Sequence, residues 1–504
     1  MSKQVEYTAL DRIEDHVSSL RQVFLSGKLR DLKKRKQQLH QLYRLVEENQ
    51  EAIHEALAQD LRKPKHEAFS GEIAPVLDEC LYFIEHLDRL AKDEKVKPRL
   101  TINRLAQVMI RREPLGLVLI LGCWNYPLAL VPLAGAIAAG NTVILKPSEI
   151  APYTATLISR LFSLYMDTNC YRIVNGGPEE TTELLKYPFD HIFYTGNQQV
   201  AKIIMTAAAQ HLTPVTLELG GKCPAIILSD ADIQLTANRI AWGKLFNAGQ
   251  VCIAVDYVVC PTSKRDAFVA AYKRVLEEWY TDPQTSKDYA RIVSERHVKR
   301  IADMLNQRQS GEIVVGGTID LEDRYVAPTL VTGVDFDDPS LMSDEIFGPV
   351  LPLITYQALD EAIAMVNRHP SPLALYLFSN QKSSIEQVLN NTRSGGVTIN
   401  DCLVHQAEYA IPFGGVGASG MGSYHGDKSF STFTHERSMI IKKQTMEGSN
   451  QARYPPYSES KYALLRLVLG HHPLMLTLKK YKSPLKIIVA ICAFLVFYFK
   501  RKNM

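Results

Sequence analysis

The chain has 504 residues, a net charge of +3, 46% hydrophobic residues and 22% charged ones. That length supports large cores and more than one domain, and the composition is that of a globular chain rather than a fibrous or disordered one. So small a net charge excludes an extended nucleic-acid surface. The eight cysteines lack metal-type spacing, so no structural metal is expected. The mostly polar first twelve residues carry no secretory pattern, and a reducing setting is expected for the folded part.

In chain order, the first hundred residues read mostly as helices, with apolar positions at helical spacing from Leu20 to Leu61. The basic run 30–36 reads as the solvated face of such a helix, because Leu32, Leu39 and Leu42 mark its apolar side. From Leu115 to Leu228, apolar strands alternate with helical segments at 129–139, 153–165, 180–185 and 200–211. That alternation predicts a doubly wound parallel α/β sheet. A second set runs to about Thr392, with strands at 257–260 and 373–378 and helices near 267–279 and 359–366. Two α/β domains sharing a cleft are expected.

Several chain reversals carry chemistry. The apolar run 115–121 breaks at Gly122-Cys123-Trp124-Asn125-Tyr126-Pro127. Asn125 is thereby expected in the crevice beyond a strand's carboxyl end, with an amide that can donate to an oxyanion. The strand 142–145 ends in Lys146-Pro147-Ser148-Glu149, whose lysine and glutamate suit ribose hydroxyls. Glu218 opens Glu-Leu-Gly-Gly-Lys, and Cys252 closes Phe-Asn-Ala-Gly-Gln-Val-Cys, on either side of a predicted helix at 230–245. Such a pair suits attack by a thiol on a carbonyl carbon, followed by hydrolysis with the carboxylate as base. Glu345-Ile346-Phe347-Gly348-Pro349 pairs a carboxylate with a ring, suited to one ribose and one flat heterocycle. Cys80, Cys123, Cys170, Cys223, Cys260 and Cys402 lie among apolar neighbours and read as core filler. No Gly-x-Gly-x-x-Gly fingerprint occurs in a strand–helix setting, so the residues alone name no dinucleotide.

In this order, the segments closely resemble the aldehyde dehydrogenase superfamily, and within it the class 3 branch that includes the fatty aldehyde dehydrogenases. The likeness runs from about Arg30 to Arg437. It includes Tyr194-Thr195-Gly196-Asn197, the stretch from Thr213 to Lys222 and the glycine-rich stretch from Pro412 to Gly422. Arg453-Tyr454-Pro455-Pro456 adds a further likeness, to the stretch preceding the membrane tail of the fatty aldehyde enzymes. The resemblance implies Cys252 as nucleophile, Asn125 and the Cys252 amide as oxyanion hole, and Glu218 as base for deacylation. It assigns Lys146 and Glu149 to the adenosine ribose, Glu345 to the nicotinamide ribose, Phe347 to the nicotinamide ring and Tyr126 to a substrate tunnel. It implies NAD as cofactor, with Glu149 disfavouring the 2′-phosphate of NADP. The chain departs from the family's Thr-Gly-x-Thr-x-x-Gly turn, with Gln198 for the second threonine and Ala201 for the last glycine. A methyl at Ala201 is expected either to crowd the pyrophosphate or to alter helix–strand packing.

The domain plan expected from the resemblance is a NAD-binding domain at 1–96 and 112–212 and a catalytic domain at 213–396. An antiparallel dimerisation arm follows at 97–111 and 397–443, then a linker with a possible gating helix at 444–486 and a membrane anchor at 487–499. The anchor segment is thirteen uncharged, mostly bulky residues between Lys486 and Lys500. As a helix it extends only ~20 Å against a hydrocarbon core of ~30 Å, a gap that snorkelling lysines and arginines help to close. The expectation is an enzyme on the endoplasmic reticulum membrane facing the cytosol, with the peroxisome as runner-up, oxidising long-chain aldehydes as a homodimer. Rival readings are a dehydrogenase that hands its acyl group to coenzyme A, and a catalytically silent membrane-bound binding protein on the same fold. Glu218 argues against the first, since transfer to coenzyme A needs no water-activating base.

Overall fold

The runs Leu117–Leu121 and Thr142–Lys146 are buried at every position, and in the computed structural model both are interior strands of one sheet. Side chains alternate across a strand, so each run needs apolar residues on both faces. Val118 and Ile120 enter a core with the helices Leu32–Glu47, Ala74–Leu90, Val131–Ala139 and Pro152–Tyr165. Leu117, Leu119 and Leu121 enter another with the helices Asp11–Leu25 and Gln198–Ala209. The structure describes residues 5–100, 103–445 and 447–469. The segment 487–499, expected to enter a membrane, lies outside the described residues, as does all of 470–486.

This first sheet has six strands. Across it they run Gly420–Met421, Val215–Glu218, His191–Thr195, Leu117–Leu121, Thr142–Lys146 and Tyr171–Ile173. All pairings are parallel except the first. The chain leaves Leu117–Leu121 toward Thr142–Lys146 and later returns on the other side through His191–Thr195. The carboxyl end of Leu117–Leu121 is therefore a topological switch point, where open sheets leave a crevice. The second sheet orders seven strands as Glu312–Val315, Thr329–Thr332, Val350–Tyr356, Tyr257–Pro261, Pro224–Ile227, Ala374–Phe378 and Gly396–Ile399. Its pairings are parallel except at Glu312–Val315.

Several expectations change. Val215–Glu218, expected in the catalytic domain, hydrogen-bonds in parallel with His191–Thr195 and completes the first sheet. The segment 397–435, expected in the arm, is part of the larger compact unit: Gly396–Ile399 edges the second sheet, and Gly420–Met421 pairs with Val215–Glu218. Arg35, expected on a solvated face, is buried and donates to Leu29 O at 2.6 Å and Ala138 O at 3.2 Å. Burial lowers its pKa to about 10.

The smaller unit comprises Lys92–Arg112 and the chain from Glu436 onward. Within it, Arg111 reaches Asp93 through two bonds of 2.9 and 2.7 Å, and Arg112 pairs with Glu94 at 2.8 Å. Its helix Glu459–Leu469 covers the segment expected to gate a tunnel. Among the described residues no helix is long and apolar enough to cross a membrane.

Candidate active site

Glu218 ends the strand Val215–Glu218 at the carboxyl edge of the first sheet, and its carbonyl accepts from Gly196 N at 3.0 Å. Its side chain is buried, and neither carboxylate oxygen has a hydrogen-bond partner among the described residues. A buried carboxylate without partners is strongly disfavoured, so burial pushes the Glu218 pKa well above the usual carboxylate range.

Cys252 lies five residues before the strand Tyr257–Pro261, on the amino side of the second sheet. The turn Phe246–Gly249 delivers it, with Asn247, Ala248 and Gly249 all in the left-handed region at φ 54°, 52° and 76°. Two consecutive non-glycine residues there are unusual and must be held by their surroundings. Asn247 Nδ2 donates to Asn125 O and to Gln250 O, both at 3.1 Å, and Asn247 N donates to Glu67 Oε2 at 2.8 Å. At Gly249 a Cβ would sit 2.3 Å from Gly348 O, so only glycine lets this turn meet the Glu345 loop. The Cys252 thiol is half-buried, and burial, then the nearby Glu345, push its pKa well up. The environment thus disfavours the thiolate.

Asn125 follows the strand Leu117–Leu121, and its Nδ2 donates to Gln250 O at 3.0 Å, two residues before Cys252. An amide nitrogen has two donors, so a second N–H remains. Tyr126 and Tyr424 are nearby phenols, both pushed up by burial; Cys252 adds to the first, and Glu218 and Cys252 add to the second. The structure thus brings Glu218, Cys252, Asn125 and Tyr126 to one place. Tyr424 joins them unannounced by any sequence signal.

Glu345 and Phe347 precede the strand Val350–Tyr356. Burial, then Asp256, raise the Glu345 pKa to about 8, against a hydrogen bond from the Gly221 amide and the charges of Lys222 and Lys244. A Cβ at Gly220 would lie 2.4 Å from Glu345 Oε2, so a side chain there would displace the carboxylate. The Phe347 ring meets Trp124 edge-on at 5.2 Å, joining this loop to the one bearing Asn125. Beneath both runs a buried ion pair absent from the sequence reading: Lys222 Nζ bonds Asp256 Oδ2 at 2.6 Å, Leu341 O at 2.8 Å and Asp344 O at 3.0 Å. Asp256 Oδ1 accepts from Ile346 N at 3.1 Å, which fixes the Glu345 loop on the second sheet.

Lys146 and Glu149 lie at the carboxyl end of Thr142–Lys146 and pair at 3.1 Å. The helix Gln198–Ala209 starts just past Gly196, with Asn197 Oδ1 accepting from Val200 N at 2.9 Å. Gln198 is exposed, and Ala201 is buried at 2% in the core with Leu117, Leu119, Ile204 and Leu217. Its methyl therefore enters helix–strand packing, the second of the two effects expected of it. The Lys146–Glu149 pair, the start of the twelve-residue helix and the loop of Glu345 and Phe347 provide polar and aromatic groups of the kinds a dinucleotide needs. Among the described residues, no cluster of three or more His, Cys, Asp or Glu could hold a metal ion.

Comparison with known proteins shows the family. The profile described as "Aldehyde dehydrogenase family" matches residues 3–439. The chain is 47% identical to "Aldehyde dehydrogenase family 3 member A2" of Macaca fascicularis over 89% of this chain and 92% of that one. It is also 47% identical to "Aldehyde dehydrogenase, dimeric NADP-preferring" of Mus musculus, over 89% and 98%. A solved structure of Staphylococcus aureus AldH in a substrate-bound state superimposes with a TM-score of 0.87 at 42% identity, covering 91% of this chain and 99% of that one. A thiol, an amide donor and an unpartnered carboxyl gathered where two α/β sheets meet are thus carried by a chain that belongs to the aldehyde dehydrogenase family.

Proposed function

We propose that this protein oxidises long-chain aliphatic aldehydes to fatty acids, with Cys252 as nucleophile, Asn125 and the Cys252 amide as oxyanion donors, and Glu218 as the base of hydrolysis. The observation that carries the reading is the unpartnered Glu218 carboxyl, buried near the thiol and free to bond a water.

Cys252 loses its proton to water and adds as thiolate: the C–S bond forms as the carbonyl π pair moves to the oxygen, where the free N–H of Asn125 Nδ2 donates to the developing negative charge. NAD or NADP, when bound, supplies the hydride acceptor. The acyl group left on Sγ is a thioester, and Glu218, as carboxylate, takes a proton from the water that releases the acid. Lys146 and Glu149 hold the adenosine ribose, Glu345 the nicotinamide ribose, and Phe347 the ring. Gly196 and the start of the helix Gln198–Ala209 border the pyrophosphate, with the Ala201 methyl in the core behind it, and Tyr126 lines the path of the substrate.

The long-chain preference, the homodimer and attachment to the endoplasmic reticulum membrane belong to the same proposal. Support comes from the relatives named above, one of them termed dimeric, and from the basic-flanked apolar segment 487–499 in the sequence. Aldehydes with long chains partition into bilayers, so a tethered site meets a higher local concentration of them. The test supplies the full chain with NAD and aldehydes from short to very long, with and without coenzyme A. Free fatty acid and NADH without coenzyme A, with kcat/KM rising with chain length, are expected. A requirement for coenzyme A, or a preference for short aldehydes, would overturn the reading.

A further inference from the structure

We infer that the buried ion pair Lys63–Glu72 is a positioning device for the reaction, setting the loop that presents Asn125 to the carbonyl oxygen. The inference rests on the role proposed for Asn125.

Both side chains of the pair are fully buried, with Lys63 Nζ 2.5 Å from Glu72 Oε1. Each partner reaches on to the loop after Leu117–Leu121. Lys63 Nζ donates to Asn125 O at 2.9 Å and stands 4.4 Å from the centre of the Tyr126 ring. Glu72 Oε2 accepts from Leu128 N at 2.9 Å. Leu128 N thus finds its acceptor outside the loop, on the helical segment that carries the pair. The pair therefore grips the loop carrying Asn125 at residues 125, 126 and 128.

The grip extends to the turn that delivers Cys252. Glu67, on the same segment as the pair, accepts from Asn247 N. Glu72 itself lies in a π-helical turn, Phe69–Ile73, between the helices Lys65–Ala68 and Ala74–Leu90. The extra residue of a π turn re-aims the side chains around it, and such turns recur at functional sites. Within it, the space beside Gly71 is filled by Tyr126 and Phe246, one ring from each loop: a Cβ there would lie 3.1 Å from Tyr126 Cε1 and 3.4 Å from Phe246 Cε1.

An ion pair buried this deeply is a poor means of adding stability, because desolvation offsets much of its attraction. What it fixes is direction. The ammonium places Asn125 O, and the carboxylate places Leu128 N. Asn125 Nδ2 is thereby held where one N–H meets Gln250 O and the other is free.

The test is a double-mutant cycle of Lys63→Met with Asn125→Ala, reading single-turnover thioester formation per titrated active site in the full-length enzyme. If Lys63 acts through Asn125, Lys63→Met slows acylation by ~10–100-fold in the parent, since small misplacements carry costs of that order. It then slows the Asn125→Ala enzyme by less than about threefold, because the group it positions is already gone. Lys63→Arg, which keeps the charge, recovers part of the rate. The same factor in both backgrounds, or no slowing in the parent, overturns the inference. Asn125→Ala with unaltered acylation would instead sink the role proposed for Asn125. Should Lys63→Met fail to fold, Lys63→Met/Glu72→Met removes both buried charges together and enters the cycle in its place, with the same two outcomes.

Discussion

Lys222 and Asp256 are only 5% and 3% exposed, and Glu218 3%, yet their surroundings are opposites. Lys222 spends its ammonium on one carboxylate and two carbonyls, and Asp256 accepts from Lys222 and from Ile346 N. Glu218 has no partner for either oxygen among the described residues. The difference separates framework from chemistry. Paired charges hold the Glu345 loop in place, whereas the carboxyl meant to meet water is desolvated and left without a bond to break.

The largest expected effect tests the chemical side. Cys252→Ser should reduce aldehyde-dependent NADH formation by at least ~10³, as loss of a nucleophile does elsewhere, and near-normal turnover in a steady-state assay would end the covalent scheme. Glu218→Gln should slow thioester hydrolysis by ~10²–10⁴, while a rapid first turnover of NADH persists in stopped flow. If the burst and the steady state fell together, Glu218 would not be specific to hydrolysis. Asn125→Ala should cost ~10²–10³ in turnover with melting temperature little changed.

The framework side gives the next contrast. Asp256→Asn leaves Lys222 buried opposite a neutral group and should destabilise the fold by about 3–5 kcal/mol in denaturant titrations. Stability equal to the parent would mean that the pair is not a support. The smallest effect concerns pH. Glu218 is raised by burial, so its proton is retained to higher pH and the base form is lost as pH falls. The decay of isolated thioester should therefore climb with rising pH, by up to about tenfold per unit below the raised pKa. A flat profile in the parent, or the same slope in Glu218→Gln, would remove Glu218 as its origin.

The residues at chain reversals were legible from sequence because glycine-bearing turns and apolar strands mark them locally. Lys146 and Glu218 end strands, Asn125, Cys252 and Glu345 lie in loops next to strands, and the strands and helices from 115 to 228 fall within a few residues of their predicted places. The sheet to which Val215–Glu218 belongs was not legible, since an apolar strand says nothing of its neighbours. Lys63 and Glu72 were equally silent, because they look like ordinary surface charges until the chain folds them beneath Asn125. Tyr424 joins the site from 172 residues beyond Cys252 (424 − 252), so nothing local to the nucleophile points to it. Arg35 escaped for another reason: its six-residue reach back to Leu29 O buries a guanidinium in a run that otherwise reads as solvated.

The most direct measurement is the mass of the Cys252 peptide after Glu218→Gln protein is mixed with a long-chain aldehyde and NAD and then quenched in acid. The account predicts that this peptide gains the mass of the fatty acyl group in proportion to NADH formed. NADH released in stoichiometric amount with that peptide unmodified would contradict it.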